Sequence, residues 1–190
     1  MGLRPSGREL DNTLNLVRDA LSSRAPYCES LDGVRRVCNH VSMANEPTIY
    51  EHLGGHEALR HAVDLFYTSV LADPLLKPLF GVGHPDHVDH LTAFMAEVFG
   101  GPSRYTDELG GFDHIVATHR DLKIQEPQRQ RFVELMMAAA DTAGLPADDR
   151  FRAAWNSHAE FGSQVAMQNS QAETDADLHP LREMPQWTWS

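Results

Sequence analysis

The stretch "HPDHVDHLTAFMAEVFGG", residues 84–101, decides the fold class of this chain. Its apolar residues recur every three or four positions, which is the period of an amphipathic helix. On a helix these apolar residues share one face with His87. They are Val88, Leu91, Phe94, Met95 and Val98. Gly100 and Gly101 follow this pattern, and glycine is common where a helix ends. We therefore predict a helix over this stretch, with His87 on its apolar face.

The same helical period occurs in three other segments of the chain. They are residues 56–73, 126–144 and 147–170, and a short helical stretch covers residues 112–119. Nothing between residues 47 and 170 alternates β-branched and polar residues for long enough to indicate a sheet. The fold class that we predict is all-α.

The sequence divides into three parts. Residues 1–46 show helical spacing only at their start, so we predict an N-terminal extension that is disordered or results from a mis-assigned start. A translation start at Met43 is the second of these alternatives. Residues 47–170 form the helical domain, and residues 171–190 form a polar, proline-broken C-terminal tail with two tryptophans near its end.

The charge of the chain excludes several classes of partner. The formal net charge is −11 and the isoelectric point is about 5.3, so the protein repels phosphate backbones and anionic membrane surfaces. No apolar run is long enough to cross a membrane, and the N-terminus lacks the apolar core of a signal peptide. Cys28 and Cys38 are most simply free thiols in a reducing compartment. We predict a cytoplasmic protein that binds neither nucleic acid nor membrane.

Several kinds of chemical site are not supported by the sequence. The helical region has no cysteine and no nucleophile-elbow motif, and its glycine pair at residues 54–55 lacks the lysine of a phosphate-binding loop. Glu-x-x-His pairs for a di-iron centre are absent. His84, His87 and His90 have a spacing that would suit a metal, but the sequence favours two solvated histidines and one inward histidine.

Two histidines remain as candidates for a shared site. His87 and His119 are each flanked by apolar residues, and haem needs a neutral imidazole on one side and a dry, mostly apolar wall on the other. The alternative is that both are ordinary core histidines. His114 competes with His119, but five residues of helix separate their directions by about 140°, so only one of them faces a haem.

The order of the motifs resembles that of the truncated haemoglobins, most closely their group II. The matching segments are "TIYEHLGG", "FYTSVLADPLLKPLF", "HLTAFMAEVFGGP", "YTDELGGFDHIVATH" and "THRDLKI". This resemblance covers residues 47–170. It implies a two-over-two helical sandwich around haem b.

The resemblance also implies roles for individual residues. They are His119 as the proximal iron ligand, Tyr67 as the distal tyrosine, Phe80 packed on the porphyrin, His87 at the distal helix position, Leu91 one turn later, and Phe132 on the next long helix. Lys123 follows in the polar segment after the proximal histidine, where its ammonium group could pair with a haem propionate.

The chain departs from the group II pattern at two places. Phe132 stands where many members have tryptophan, and residues 111–113 read Gly-Phe-Asp in place of Gly-His-Pro. Because phenylalanine has no N–H group, Tyr67 and His87 must supply any hydrogen-bond donors on the distal side.

The predicted function is that of a globin with a pentacoordinate haem iron that reversibly binds O2, and also NO, CO or peroxide. Transport, storage and detoxification of NO or peroxide all suit such a site. Whether the protein is an enzyme stays open, and the options are nitric-oxide dioxygenase or peroxidase-like side activity. A reductase is a possible partner. The chain is expected to be a monomer or a homodimer. The alternative is a haem-based gas sensor or partner-binding module that signals through the extension or the tail.

Overall fold

The computed structural model describes residues 46–179 and 183–189, and the regular structure of these residues is entirely helical. The elements are α1 (Ile49–His52), α2 (Gly55–Ala72), α3 (Lys77–Phe80), α4 (His87–Val98), α5 (Arg104–Glu108), α6 (Gly111–Thr118), α7 (Glu126–Thr142), α8 (Asp149–Asn169) and a 3-10 helix (Asp175–Asp177). The predicted all-α class is confirmed. The short helices α1, α3 and α5 were not predicted from the sequence.

Local side-chain chemistry sets where these helices begin and end. Thr48 and Glu51 form a capping box that starts α1, and the carboxylate of Asp148 accepts the backbone N–H of Phe151 at the start of α8. Such caps satisfy N–H groups that have no partner inside the helix. Helix α2 ends at Ala72, because Asp73 precedes Pro74 and has an extended backbone.

The long helices pack as two pairs. Helix α2 packs against α4 in one pair, α7 packs against α8 in the other, and α2 also packs against α7 to join them. The large side chains at the centre are fully buried: Phe66, Phe99, Phe151 and Trp155. The indole N–H of Trp155 donates to the carbonyl oxygen of Met136, 3.2 Å away, which satisfies its one polar atom in the core. The predicted two-over-two globin arrangement is confirmed.

The glycine pair after α4 allows the chain to pass close to α1. Gly100 has φ +83°, and a Cβ on Gly101 would lie 2.8 Å from both the Ala96 carbonyl oxygen and the Tyr50 ring. The backbone N–H of Tyr50 donates to the carbonyl oxygen of Phe99, 2.9 Å away. Larger residues would separate α1 from α4 at this point.

The predicted N-terminal extension, residues 1–46, lies outside the described residues except for Glu46, as do Cys28, Cys38 and Met43. The boundary of the domain therefore stays a prediction. None of the helices in the described part of the chain is both long and apolar enough to span a membrane.

The end of the C-terminal tail lies on the helical domain. Residues 183–189 form no helix. The backbone N–H of Trp187 donates to the carbonyl oxygen of Val98, 2.8 Å away, and the indole N–H of Trp189 donates to the carbonyl oxygen of Pro47, 2.6 Å away. The guanidinium of Arg150 lies 4.4 Å from the centre of the Trp189 ring, in a cation–π contact. The tail thus joins the start of α1, the end of α4 and the start of α8.

Candidate functional site

Three of the predicted site residues meet on one side of the domain. The Tyr67 hydroxyl on α2 lies 2.7 Å from Nδ1 of His87 at the start of α4. Phe80, at the end of α3, packs edge-on against both rings, with ring centroids 6.1 Å from Tyr67 and 6.4 Å from His87. We call this group of three the distal cluster. It combines two polar groups with an aromatic wall.

The surroundings of His87 favour its neutral form. Partial burial lowers its pKa below the usual value, and the neighbouring His84 and His90 lower it further, while Asp86 acts in the opposite direction. A neutral imidazole has one N–H group and one acceptor nitrogen. His87 can therefore either donate to the Tyr67 hydroxyl or accept from it.

Phe132 and Leu91 are the other two apolar residues predicted on the distal side. Both are partly buried and pack against the hydrophobic core. The ring of Phe132 on α7 packs edge-on against Phe66, with centroids 4.9 Å apart, and Phe66 precedes Tyr67 on α2. This position therefore adds apolar surface without a polar group, as the sequence predicts.

His119 stands immediately after α6, where it caps the C-terminal end of the helix. Its Nδ1 lies 2.7 Å from the carbonyl oxygen of Ile115, one turn earlier. A carbonyl only accepts, so the proton is on Nδ1 and the lone pair is on Nε2. Burial lowers the pKa of His119, and the hydrogen bond to Ile115 offsets part of this effect. This tautomer is the one that a metal-ligating histidine needs.

The competing His114 has a different environment. It lies on α6 and its side chain is exposed, whereas His119 is partly buried. The difference agrees with the angular separation expected for five residues of helix.

The segment after His119 is anchored to the end of α8. The backbone N–H groups of Asp121 and Lys123 donate to the carbonyl oxygens of Ala172 and Ser170, at 3.1 and 3.0 Å. The Lys123 ammonium donates to the carbonyl oxygen of Gln171 and lies 3.4 Å from the Asp121 carboxylate. The predicted contact between Lys123 and a propionate stays a prediction, and it would require this ammonium to leave or share these partners.

Helix α6, which precedes His119, packs on different elements from the helices that carry Tyr67 and His87. Within residues 46–179, α6 packs mainly on α5 and α8, and its contact with α2 and α4 is slight at most. The helix before His119 is thus not packed closely onto the two helices that carry Tyr67 and His87. The residues predicted to bind haem have the chemistry that haem requires. His119 has its lone pair on Nε2, apolar side chains are partly buried, and Tyr67 and His87 supply two polar groups.

The alternative of a metal held by the three histidines near α4 finds no support in the geometry. The rings of His84 and His87 lie 5.6 Å apart. In the described part of the chain, no group of three or more His, Cys, Asp or Glu side chains is arranged to hold a metal ion.

Two contacts of histidines were not predicted from the sequence. The backbone N–H of His84 donates to the Tyr67 hydroxyl, 3.0 Å away. His158, which helical period places on the apolar face of α8, is buried among Phe94, Phe99 and Trp187. A backbone donor has no signal in residue type, although the His84-Pro85 pair does predict an extended conformation at His84. The contact between His158 and Trp187 joins distant parts of the chain, which periodicity within one helix does not predict.

Comparison with known proteins identifies the family. The model of the "Bacterial-like globin" family matches residues 48–174. Group 1 truncated hemoglobin GlbN of Nostoc commune is 35% identical over 103 residues, which cover 54% of this chain and 83% of that protein. Group 2 truncated hemoglobin YjbI of Bacillus subtilis is 33% identical over 101 residues, covering 53% of this chain and 75% of the relative.

Solved structures agree with these matches. A hemoglobin from the thermophilic phototrophic bacterium Chloroflexus aurantiacus superimposes with a TM-score of 0.58 and 34% identity, covering 64% of this chain and 98% of that chain. The predicted resemblance to truncated haemoglobins is confirmed, with group 1 and group 2 proteins both among the relatives. The family match covers more than half of the chain, and the described helices have the fold of the solved hemoglobin. The chain therefore belongs to the bacterial-like globin family.

Proposed function

We propose that this globin binds haem b through Nε2 of His119 and holds O2 on the side of Tyr67 and His87. The observation that carries the proposal is the hydrogen bond from Nδ1 of His119 to the Ile115 carbonyl oxygen, because it leaves the lone pair of Nε2 available as an iron ligand. Family membership and the truncated hemoglobin relatives support haem as the cofactor.

Haem, when bound, supplies an iron centre that binds diatomic gases reversibly. The chain supplies the surroundings of that centre. Burial lowers the pKa of His119 and so favours its neutral form, and the anchored segment after it limits its movement. Phe80, Leu91 and Phe132 provide apolar surface that excludes water, while Tyr67 and His87 hold a proton at Oη or at a ring nitrogen for a polar ligand.

The cysteine positions support a haem that is not covalently attached, such as haem b. Covalent attachment of haem in the manner of c-type cytochromes requires a Cys-x-x-Cys-His motif. The only cysteines are Cys28 and Cys38, and both precede the region that matches the family. We also propose that both cysteines stay reduced, in agreement with a cytoplasmic location. O2 binding is the activity shared by transport, storage and detoxification of NO, and it is the activity that we propose.

The absorption spectrum of the purified full chain tests the proposal. We expect a Soret band in the wild type, loss of haem in His119→Gly, and its partial return when imidazole is added. The matched control is His114→Gly, which removes an exposed histidine from the same helix and should leave the spectrum unchanged. Loss of haem in His114→Gly but not in His119→Gly would transfer the ligand role to His114.

A further inference from the structure

The turn at residues 81–84 lies directly against the distal tyrosine. The backbone N–H of His84 donates to Oη of Tyr67 at 3.0 Å, and the N–H of Gly83 donates to the Phe80 carbonyl oxygen at 3.1 Å. Val82, at the tip of the turn, is fully exposed. The turn is therefore held to the domain on its inner side, by contacts that include the tyrosine hydroxyl.

Two glycines make this path of the chain possible, but for different reasons. Gly81 and Gly83 both have positive φ, +60° and +84°, which L side chains rarely adopt. A Cβ on Gly83 would lie 3.2 Å from Tyr67 Oη and 3.2 Å from Leu71 Cδ1, whereas a Cβ on Gly81 would meet nothing within 4 Å. Close approach to the hydroxyl therefore depends on Gly83.

The proline after the turn limits the backbone of His84. The residue before a proline is restricted to extended conformations, so Pro85 narrows the directions available to the His84 N–H group. The imidazole of His84 is turned towards α4, where its Nδ1 lies 3.3 Å from the backbone nitrogen of Asp86. The backbone N–H, and not the ring, is the group that meets Tyr67.

Counting protons shows what this N–H group does. A tyrosine hydroxyl has one proton and two acceptor positions, and a neutral imidazole has one N–H group. The His84 N–H can only donate, so it occupies one acceptor position of Oη. The contact between Oη and Nδ1 of His87 uses one proton of the pair, and the other proton is left for a third partner.

We propose that Gly83 and the backbone N–H of His84 position the Tyr67 hydroxyl, and that they thereby determine how strongly the site prefers O2 over CO. This inference rests on the proposed function. Without the His84 donor, Oη would lose one of its two fixed partners, and the proton that is not used between Oη and Nδ1 of His87 would be aimed less well at a ligand. Gly83 acts through Tyr67 and is a positioning residue.

The first test measures the hydrogen bond itself. Amide hydrogen exchange at His84 is followed by NMR in the full chain as purified. Because a hydrogen bond of this kind contributes about 0.5–1.5 kcal/mol, Tyr67→Phe should speed exchange at His84 by about two- to tenfold, and Gly83→Ala should have a similar effect. Gly81→Ala is the matched control, since it imposes backbone strain without placing a Cβ near Oη, and its effect should be clearly smaller.

The second test measures gas dissociation from the haem-loaded protein. We expect Gly83→Ala to speed O2 dissociation by about two- to tenfold and to change CO dissociation much less. Equal His84 exchange in wild type and Tyr67→Phe would overturn the inference, as would a Gly81→Ala effect as large as that of Gly83→Ala. If O2 dissociation changes in Tyr67→Phe but not in Gly83→Ala, the inference about Gly83 and His84 is wrong while the proposed function stands. If it changes in neither, the proposed role of Tyr67 in gas binding fails as well.

Discussion

The imidazole of His158 packs edge-on against the indole of Trp187, with ring centroids 5.3 Å apart and an angle of 78° between the ring planes. Phe99 packs against the same imidazole, at 4.9 Å. Among the described residues, Nδ1 of His158 has no hydrogen-bond partner. The C-terminal tail thus covers a buried imidazole, and the tail and the imidazole can each be tested by measurement.

The first prediction concerns pH. Burial lowers the pKa of His158 to about 4, whereas an unfolded histidine has a pKa near 6.5. Between these values the unfolded chain binds more protons than the folded chain, so acidification favours unfolding. The contribution of His158 to the free energy of unfolding is present above about pH 6.5 and is lost as the pH falls towards 4. At pH 5 the loss amounts to about 2 kcal/mol. Urea unfolding at several pH values measures it.

A substitution isolates the contribution of this one histidine. His158→Phe removes the titrating group and keeps an aromatic ring, so its free energy of unfolding should fall less between pH 7 and pH 5 than that of the wild type. His56→Phe, at an exposed position on α2, serves as the control and should keep the wild-type slope. Identical pH dependence in wild type and His158→Phe would show that His158 is not held uncharged by burial.

The second prediction concerns the tail. Trp187 contacts His158 and Phe161 and is partly buried, so Trp187→Ala should destabilise the domain by about 1–3 kcal/mol. The neighbouring Thr188 is exposed, and Thr188→Ala should change the free energy of unfolding by less than about 0.5 kcal/mol. Denaturation at neutral pH compares the two. Equal stability of Trp187→Ala and wild type would mean that the tail does not stay on the domain in solution.

The third prediction concerns the N-terminal extension. The family match begins at residue 48 and α1 begins at Ile49, with Thr48 as its cap. A chain that starts at Met43 should therefore fold and hold haem with little change, which its thermal midpoint and absorption spectrum would show. Reduced solubility or haem content in the shortened chain would instead place part of the extension within the folded domain.

Much of the fold could be predicted from the sequence because the long helices carry their own signals. Helical period over residues 56–73 predicts one apolar stripe on α2, made of Leu59, Val63, Phe66, Tyr67 and Val70. All of these residues are buried except Tyr67, which is half-buried. The short helices could not be predicted in this way. Helix α3, for example, has only four residues and shows no period.

The candidate site was predictable in its residue types but not in its contacts. Motif order points to Tyr67 and His87, yet the 2.7 Å between Oη and Nδ1 depends on how α2 packs against α4. Helical period also placed His87 on an inward face, whereas its side chain is exposed at the first turn of α4. A residue at a helix end has fewer neighbours on its own helix, so periodicity is a weaker guide to burial there.

The last prediction concerns the two donors of the distal cluster, and it distinguishes a site that holds O2 from one that merely admits gases. Ligated O2 draws electron density from iron and accepts a charge-assisted hydrogen bond, worth about 1.5–3 kcal/mol, whereas CO stays nearly neutral. Since about 1.4 kcal/mol corresponds to a factor of ten in a rate constant, Tyr67→Phe should speed O2 dissociation roughly ten- to a hundredfold and change CO dissociation far less.

His87→Leu should have a smaller effect than Tyr67→Phe if the tyrosine is the main donor. The double variant should be non-additive, because the two side chains already share a hydrogen bond at 2.7 Å and would serve one ligand. Phe132 has no N–H group, so no third donor at the matched distal positions can mask the result. Stopped-flow replacement of O2 by CO on the wild type and the three variants measures these rates. Equal O2 dissociation rates in wild type and Tyr67→Phe would mean that the hydroxyl does not reach the ligand, and strictly additive effects would mean that Tyr67 and His87 act on it independently.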